Sequence, residues 1–503
     1  MTRATRVVVV GNGMAGSRLV EELRARDPQR ALEIRVLGAE PHPAYNRILL
    51  SSVLAGKVTV DDIALTTRQW CDDNDVRLHV GTTVTRIDRA TRTVTTGAGE
   101  AFAYDELVLA TGSTPRVPVV PGFTIAGALA PNVHVFRTVG DCERILAGAA
   151  DARRAVVVGG GLLGLEAARG LAGRGVAVTV LHKSGHLMEK QIDDLAGGVL
   201  VRTLDRLGIG VRLRGVPIRY DSCGSERAIV LADGEHLPAD LVVLAAGVEP
   251  EVALARACGL TVERAVVVDD AMRASDEHVW AIGECAQHRG SVYGLVAPAW
   301  EQAAVLADRL TGRDSSYRGS GIVTRLKATD VDLATMGDAH LEDDGAAEVV
   351  RFIDPVRGTY KKLVIRDGRL TGAILLGENP TVGTVTQLFD RGGPVPADRI
   401  ALLFPGRGAA TTAENPAHIP DRATVCRCNN VSKRAITQCW LAGARTVAAV
   451  AGATRATTGC GGCRDLVAGI VDWMAAADPS GDGEPVVPDD SSALVGTVAH
   501  AIV

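Results

Sequence analysis

Four cysteines near the C-terminal end have the spacing of metal ligands. Cys426 and Cys428 form a C-x-C pair, Cys460 and Cys463 form a C-x-x-C pair, and thirty-one residues separate the two. Four thiolates can hold a [2Fe–2S] cluster or one structural zinc. Zinc sites usually combine two C-x-x-C pairs around one tetrahedral ion. A C-x-C with a distant C-x-x-C fits a diamond of two irons better. Far upstream, residues 11–16 and 159–164 each have the G-x-G-x-x-G spacing that lets backbone N–H groups approach a pyrophosphate. Two dinucleotides and a thiolate cluster on one chain suit the conversion of paired electrons into single ones.

The chain has 503 residues, room for roughly three domains. With 47% hydrophobic and 22% charged residues, its composition is that of an ordinary globular protein. The net charge is -5 and no long basic run occurs, which argues against a nucleic-acid partner. No apolar stretch approaches the roughly 20 residues of a membrane span. A strand pattern beginning at Arg6 leaves no room for a signal peptide. We therefore expect a cytoplasmic protein without membrane segments. In a reducing compartment the clustered cysteine pairs read as ligands rather than disulfides. The scattered Cys71, Cys142, Cys223, Cys258, Cys285 and Cys439 read as small buried hydrophobes.

The first glycine loop follows the apolar strand 6–10 and opens a helix with Leu19, Val20 and Leu23 on one face. Gly11 permits the tight turn, Gly13 the approach of the pyrophosphate, and Gly16 close packing of helix on strand. Met14 and Ala15 lie at the helix N-terminus, where free N–H groups favour phosphate. An acid usually closes the next strand and binds ribose hydroxyls. Gly38 stands at that place, and Glu40 two residues later is the candidate.

The second loop, with Gly159, Gly161, Leu162, Leu163 and Gly164, follows strand 155–158 and opens another helix. The strand after it ends at His182-Lys183 rather than at an acid. Neutral or cationic groups there tolerate the 2′-phosphate of NADPH, so NADH and NADPH both stay open. Residues 240–249 run from a strand into a small-residue turn at Gly247.

Around the cysteines, Ser432 and Thr446 are placed to cap helices over 433–441 and 446–452, and a last helix is expected over 463–476. Five strand-like runs, 321–326, 331–336, 348–353, 360–365 and 370–376, predict a small sheet.

Several segments resemble known families. L-V-L-A-T-G-S with Thr111 and Gly112, and A-I-G-E with Gly283 and Glu284, resemble the late motifs of flavoproteins with two dinucleotide folds. That resemblance implies that Glu284 holds the ribityl chain of FAD. Glu166 resembles the glutamate that relatives place near the nicotinamide. C-R-C-N-N-V and T-G-C-G-G-C resemble the bacterioferritin-associated ferredoxin module. From residue 5 to about 475 the chain is similar to the N-terminal half of bacterial assimilatory NAD(P)H nitrite reductase large subunits, through V-G-N-G-M-A-G, E-P-H-P-A-Y-N-R, V-G-G-G-L-L-G-L-E-A-A and L-M-E-K-Q-I-D. Those subunits continue into a sirohaem and [4Fe–4S] half. No cysteine follows Cys463, so this polypeptide is expected to lack the nitrite site. It then resembles the stand-alone electron-transfer subunit of assimilatory nitrate reductase.

The expected fold is α/β. It has two Rossmann-like dinucleotide-binding domains, the FAD domain interrupted by the NAD(P) domain, then a small α+β interface domain and a C-terminal helical [2Fe–2S] module. The expected boundaries are 1–117 and 251–314 for the FAD domain, 118–250 for the NAD(P) domain and 315–405 for the small domain. A linker at 406–423, the cluster module at 424–477 and a disordered tail at 478–503 follow. The resemblance implies an enzyme that passes electrons from NAD(P)H through FAD and the cluster to a molybdenum nitrate reductase, or to a nitrite reductase subunit. No general acid, base or nucleophile is named, because the cofactors carry the chemistry. Disulfide reductases of this fold place a cysteine pair beside the flavin, and none lies between residues 38 and 60 here. Arg47 occupies that region and is a candidate neighbour of the flavin. Competing readings are a reductase of ferredoxin or rubredoxin, an iron-binding or redox-sensing module, and an amine dehydrogenase. A homo-oligomer stays open.

Overall fold

The structure is a computed structural model that describes residues 4–222, 226–404, 416–459 and 461–477. Cys223, Cys460, much of the expected linker and the expected tail lie outside the described residues. The chain forms two compact units, Met1–Val382 with Leu388–Arg399 and Gly383–Gln387 with Ile400–Val503.

In the first unit, strand β1 (Thr5–Val10) pairs in parallel with β2 (Leu32–Leu37), which pairs with β3 (Val76–His79). Helix α1 (Met14–Arg26) crosses between β1 and β2. It starts three residues earlier than its apolar periodicity predicts, because the last three positions of the glycine loop already form its first turn. Strand β4 (Glu106–Leu109) adds on the other side of β1. Val7, Val8 and Val9 are buried, as strands covered on both faces require.

The chain then leaves to build a second parallel sheet from β5 (Val133–Val135), β6 (Arg154–Val158), β7 (Ala177–His182), β8 (Ile209–Leu213) and β9 (Leu241–Leu244), in the order β5-β9-β6-β7-β8. Helices α2 (Val139–Asp151), α3 (Leu162–Ala172) and α4 (Asp194–Arg206) connect it. It returns to the first sheet as β10 (Val279–Ala281), which pairs with β4. Helix α5 (Val296–Leu310) then packs along α1. A two-stranded ribbon, Ser113–Pro115 against Val248–Pro250, ties the two crossings together.

An antiparallel sheet follows, of β11 (Val323–Ala328), β12 (Val331–Gly337), β13 (Glu348–Asp354), β14 (Thr359–Arg366) and β15 (Arg369–Leu376), in the order β11-β12-β15-β14-β13. All five expected strands are present within two residues of their expected positions. One buried cluster joins Leu165, Leu171 and Leu200 of the second fold to Leu326, Tyr360 and Ile374 of this sheet. At its rim the Lys362 ammonium, fully buried, lies 3.2 Å from Asp193 Oδ2 and 2.9 Å from Glu342 Oε1. The Tyr360 hydroxyl donates to the same Asp193 oxygen at 2.6 Å.

The second unit carries α6 (Lys433–Leu441), α7 (Val447–Thr454) and α8 (Arg464–Ala477). Ser432 Oγ accepts from the Ala435 N–H at 3.2 Å and Thr446 Oγ1 from the Ala449 N–H at 3.1 Å, so both expected caps form. Ile436, Trp440, Val450, Val467 and Ile470 make a core of their own.

Candidate functional site

The first glycine loop is built by close backbone approach. Gly11 has φ +114°, and a Cβ there would stand 2.2 Å from the Ala110 carbonyl oxygen. A Cβ on Gly16 would stand 2.1 Å from the Gly11 oxygen. Neither position admits a side chain. Gly13 is different, since a Cβ there would meet only Arg47 Nε, at 3.9 Å. Its open face and the buried, unpartnered Asn12 Nδ2 suit a polar ligand lying across the loop. Gly38 replaces the usual acid for a visible reason: its Cβ would lie 2.7 Å from Asn12 Cβ.

Glu40 lies beside this loop but already has partners. Its carboxylate pairs with Arg47 and accepts from the Tyr45 hydroxyl at 2.6 Å. Burial pushes the Tyr45 phenol well above its ordinary range, so it stays a donor. Arg47 continues to the Arg137 carbonyl at 3.2 Å. Arg137 in turn reaches Glu284 Oε2 at 2.6 Å, and Ser113 Oγ donates to that oxygen at 2.5 Å. Gly283 fixes this acid against the first loop, with φ +78° and a would-be Cβ 2.9 Å from Ala15 Cβ. Thr111 Oγ1 donates to the Glu251 carbonyl at 2.7 Å, and Gly112 has φ +71°. Tertiary structure therefore brings Glu40, Arg47, Glu284 and the first loop together. Arg137 was missed from sequence. It stands alone between a strand and the Thr138 cap, with no pattern to mark it.

The second loop repeats the construction. Gly159 has φ +123° and a would-be Cβ 2.2 Å from Ala245 O, and a Cβ on Gly164 would stand 1.9 Å from Gly159 O. Gly161 has nothing within 4 Å of its Cβ position, nor has Gly247, at φ +98°. Leu162 and Leu163 form the first turn of α3. The half-open loop with packed flanks fits a pyrophosphate at the α3 N-terminus.

Of the His182-Lys183 pair, His182 is buried. Its Nδ1 accepts from the Gly160 N–H at 3.1 Å, and its Nε2 lies 2.9 Å from Glu189 Oε2. The ring thus braces the glycine loop from inside. Lys183 is exposed.

Glu166 is 5% exposed on α3. Its Oε1 accepts from the Lys327 backbone N–H at 3.1 Å and lies 3.5 Å from Lys327 Nζ. Lys327 Nζ also donates to the Ile48 carbonyl at 3.2 Å, next to Arg47. One lysine on β11 therefore touches both dinucleotide folds. It too was missed from sequence, because nothing local distinguishes it within a strand.

In the second unit, Cys426 is 2% and Cys463 8% exposed, within the same core as the half-buried Cys428. A Cβ on Gly459 would stand 2.5 Å from Cys428 Cβ and 3.2 Å from its Sγ, so Gly459 lies directly on Cys428. Asn429 Nδ2 donates to Arg455 O and, at 3.1 Å, to Thr458 Oγ1, which ties the two loops together. Cys460 is outside the described residues. Among the described residues no three Cys, His, Asp or Glu side chains are grouped around one ion. A binuclear cluster takes its cysteines two to each iron, so the crowded loops and the all-sulfur donor set fit that group.

Burial pushes the Cys71 and Cys142 thiols up to about 11, and those of Cys258, Cys285 and Cys439 up as well. These are poor nucleophiles and poor ligands. Among the described residues no helix is long and apolar enough to cross a membrane.

Residues 5–303 match the profile of the pyridine nucleotide-disulphide oxidoreductases. The chain belongs to that family. Residues 323–391 match the rubredoxin NAD+ reductase C-terminal domain, and residues 424–473 the BFD-like [2Fe-2S] binding domain. Nitrite reductase [NAD(P)H] of Bacillus subtilis (strain 168) is 38% identical over 94% of this chain. The assimilatory nitrate reductase electron transfer subunit of the same organism is 36% identical over 94%. The chain spans 58% and 60% of those two relatives. Among solved structures, a covalent putidaredoxin reductase–putidaredoxin complex matches with TM-score 0.71 and 26% identity, over 80% of this chain and 96% of that one. The family is an oxidoreductase family, and its cofactors with those of the cluster module are FAD, NAD(P)H and a [2Fe–2S] cluster.

Proposed function

We propose that this chain takes electrons from NAD(P)H and delivers them singly to a separate catalytic protein, first of all an assimilatory molybdenum nitrate reductase. The observation that carries this reading is a cysteine-bearing cluster module on the same chain as two intact glycine loops, together with similarity over 94% of the chain to a nitrate reductase electron transfer subunit. Because the rubredoxin NAD+ reductase domain also matches, a small iron protein is the second acceptor to test. A nitrite reductase subunit is the third. The absence of a membrane-crossing helix among the described residues is compatible with work in the cytoplasm.

The residues divide the work as follows. The first loop and the α1 N-terminus hold the FAD pyrophosphate, with Met14 and Ala15 in the first turn. Glu284, held by Arg137 and Ser113, faces the polyol part of that cofactor, and Glu40 with Arg47 closes the site. The second loop holds NAD(P)H, with Lys183 at the ribose end. Glu166 and Lys327 join the two folds where the nucleotides must meet, and they position both sides by one ion pair. FAD bound there would supply a centre able to exchange electrons in pairs or singly. Cys426, Cys428, Cys460 and Cys463 would hold the cluster, which would supply one-electron chemistry.

Anaerobic titration with NADH and with NADPH tests the reading. Bleaching of the flavin band followed by loss of the cluster absorption is expected. Cys428→Ser should lose iron and sulfide while NAD(P)H still bleaches the flavin. Wild-type protein that contains iron but whose cluster stays oxidised under excess NAD(P)H would sink the proposal.

A further inference from the structure

The strand end beside the second glycine loop presents cations where an acid is usual. β7 runs parallel to β6 and ends at His182, and the Gly159 N–H donates to Leu181 O at 2.9 Å. In dinucleotide folds an acid at this end binds the 2′-hydroxyl of the adenosine ribose. Here the His182 ring is turned inward onto the Gly160 N–H and Glu189. The ends of β7 and β8 with their loops, residues 182–190 and 212–216, contain one acid, Glu189, and its Oε2 lies 2.9 Å from His182 Nε2. Two cations stand at the strand ends themselves. Lys183 is exposed in the residue after β7. Arg214, exposed just past β8 with φ +53°, donates its backbone N–H to Ser184 O at 3.1 Å. Its guanidinium lies against the loop that Lys183 opens, since a Cβ on Gly185 would stand 3.3 Å from Arg214 Nη2. Arg212 is paired with Asp233 and Glu235, whereas neither Lys183 nor Arg214 has an ion-pair partner among the described residues.

We infer that Lys183 and Arg214 form a 2′-phosphate site, which makes NADPH the preferred electron donor. This rests on the electron-transfer reading above and adds Arg214 to the residues that hold the nucleotide. A phosphate monoester carries about −1.5 to −2 charges at neutral pH and three strong acceptor oxygens. An arginine fork meets two such oxygens side by side, and a lysine adds a compact point charge. An acid in place of His182 would repel the phosphate. The inward histidine removes that repulsion and still braces the loop through Gly160. NADH offers the two cations only a neutral hydroxyl, so it gains no charge-assisted hydrogen bond to a phosphate.

The test uses the complete, flavin-loaded protein. Calorimetry compares 2′,5′-ADP with 5′-AMP, which differ only in the 2′-phosphate. The first should bind about a hundredfold more tightly, as two charge-assisted contacts require. That advantage should shrink from about 0.01 M to about 0.15 M salt, across which the screening length falls from about 30 to about 8 Å. Anaerobic stopped flow then gives the second-order rates of flavin bleaching by the two nucleotides, and NADPH should lead NADH about a hundredfold. Lys183→Ala with Arg214→Ala should bring both ratios close to one. Lys183→Glu alone should lower both about tenfold or more, and it keeps the test decisive if removing Arg214 loosens the strand end. Flavin content and the thermal midpoint report whether each variant is folded. Equal affinity for the two mononucleotides in the wild type, a preference for NADH, or an NADPH preference that survives in folded Lys183→Glu overturns the phosphate site alone. A flavin that neither nucleotide bleaches overturns the electron-transfer reading and this inference with it.

Discussion

Glu166 and Lys327, 161 residues apart, form a bridge between the two dinucleotide folds. One Glu166 oxygen lies 3.1 Å from the Lys327 backbone nitrogen and 3.5 Å from its ammonium, which also donates to Ile48 O. A carboxylate that is 5% exposed needs such a partner, since desolvation without one is costly. Lys327→Met should therefore slow flavin reduction by NAD(P)H about tenfold or more, matching the loss of a charged hydrogen bond worth ~1.5–3 kcal/mol. Bound FAD should be retained. Stopped-flow bleaching of the flavin measures the first effect, and the absorbance ratio of flavin to protein the second. A Glu166→Gln variant should be milder, because its amide oxygen still accepts from the Lys327 N–H.

The two kinds of glycine in the second loop should respond differently. Gly164→Ala forces a Cβ to within 1.9 Å of the Gly159 oxygen, so the loop must deform. A loss of about 1–3 kcal/mol, or more, is expected in thermal or denaturant unfolding. Gly161→Ala meets no atom within 4 Å, so stability should hold. Its methyl would fill the space where a pyrophosphate approaches. The KM for NAD(P)H should rise about tenfold or more, and the flavin content should not change. Equal nucleotide KM in Gly161→Ala and wild type would show that the nucleotide does not cross this loop.

The group of Asp193, Tyr360, Lys362 and Glu342 pins the antiparallel sheet to helix α4. Lys362 is fully buried, and its removal leaves Asp193 with an uncompensated charge. Lys362→Met is expected to cost about 3–5 kcal/mol, and Tyr360→Phe about 1 kcal/mol. Asp193→Asn added to Lys362→Met should recover part of the loss, because the pair is coupled. Denaturant midpoints of the four proteins measure this.

Asp270 accepts from the His288 ring and pairs with Arg289, and these partners hold its carboxyl down to about 2, with Arg289 the larger influence. A carboxyl lowered in the folded state stabilises the protein above its unfolded value of about 3.9. That contribution fades as pH falls toward about 2. Asp270→Asn should therefore lower the thermal midpoint at pH 6, and the gap to wild type should close on acidification. A gap that stays constant from neutral pH into this acid range would refute the assignment.

Sequence alone located what depends on neighbours along the chain. A glycine that must clear a carbonyl five positions before it, as Gly16 and Gly164 must, obeys a fixed spacing, so both loops, the caps at Ser432 and Thr446 and the five strands of the antiparallel sheet were legible. Folding decided the pairings across long separations. Arg137 meets Glu284, Lys327 meets Glu166, and Lys362 meets Asp193 only because the chain leaves one sheet, builds another and returns. It also turned His182 inward, where Gly160 and Glu189 claim its ring. A lone arginine or lysine in a strand or loop carries no periodicity. Its role is fixed by which buried carboxylate needs a counter-charge, and that need arises only once the surrounding core has excluded water.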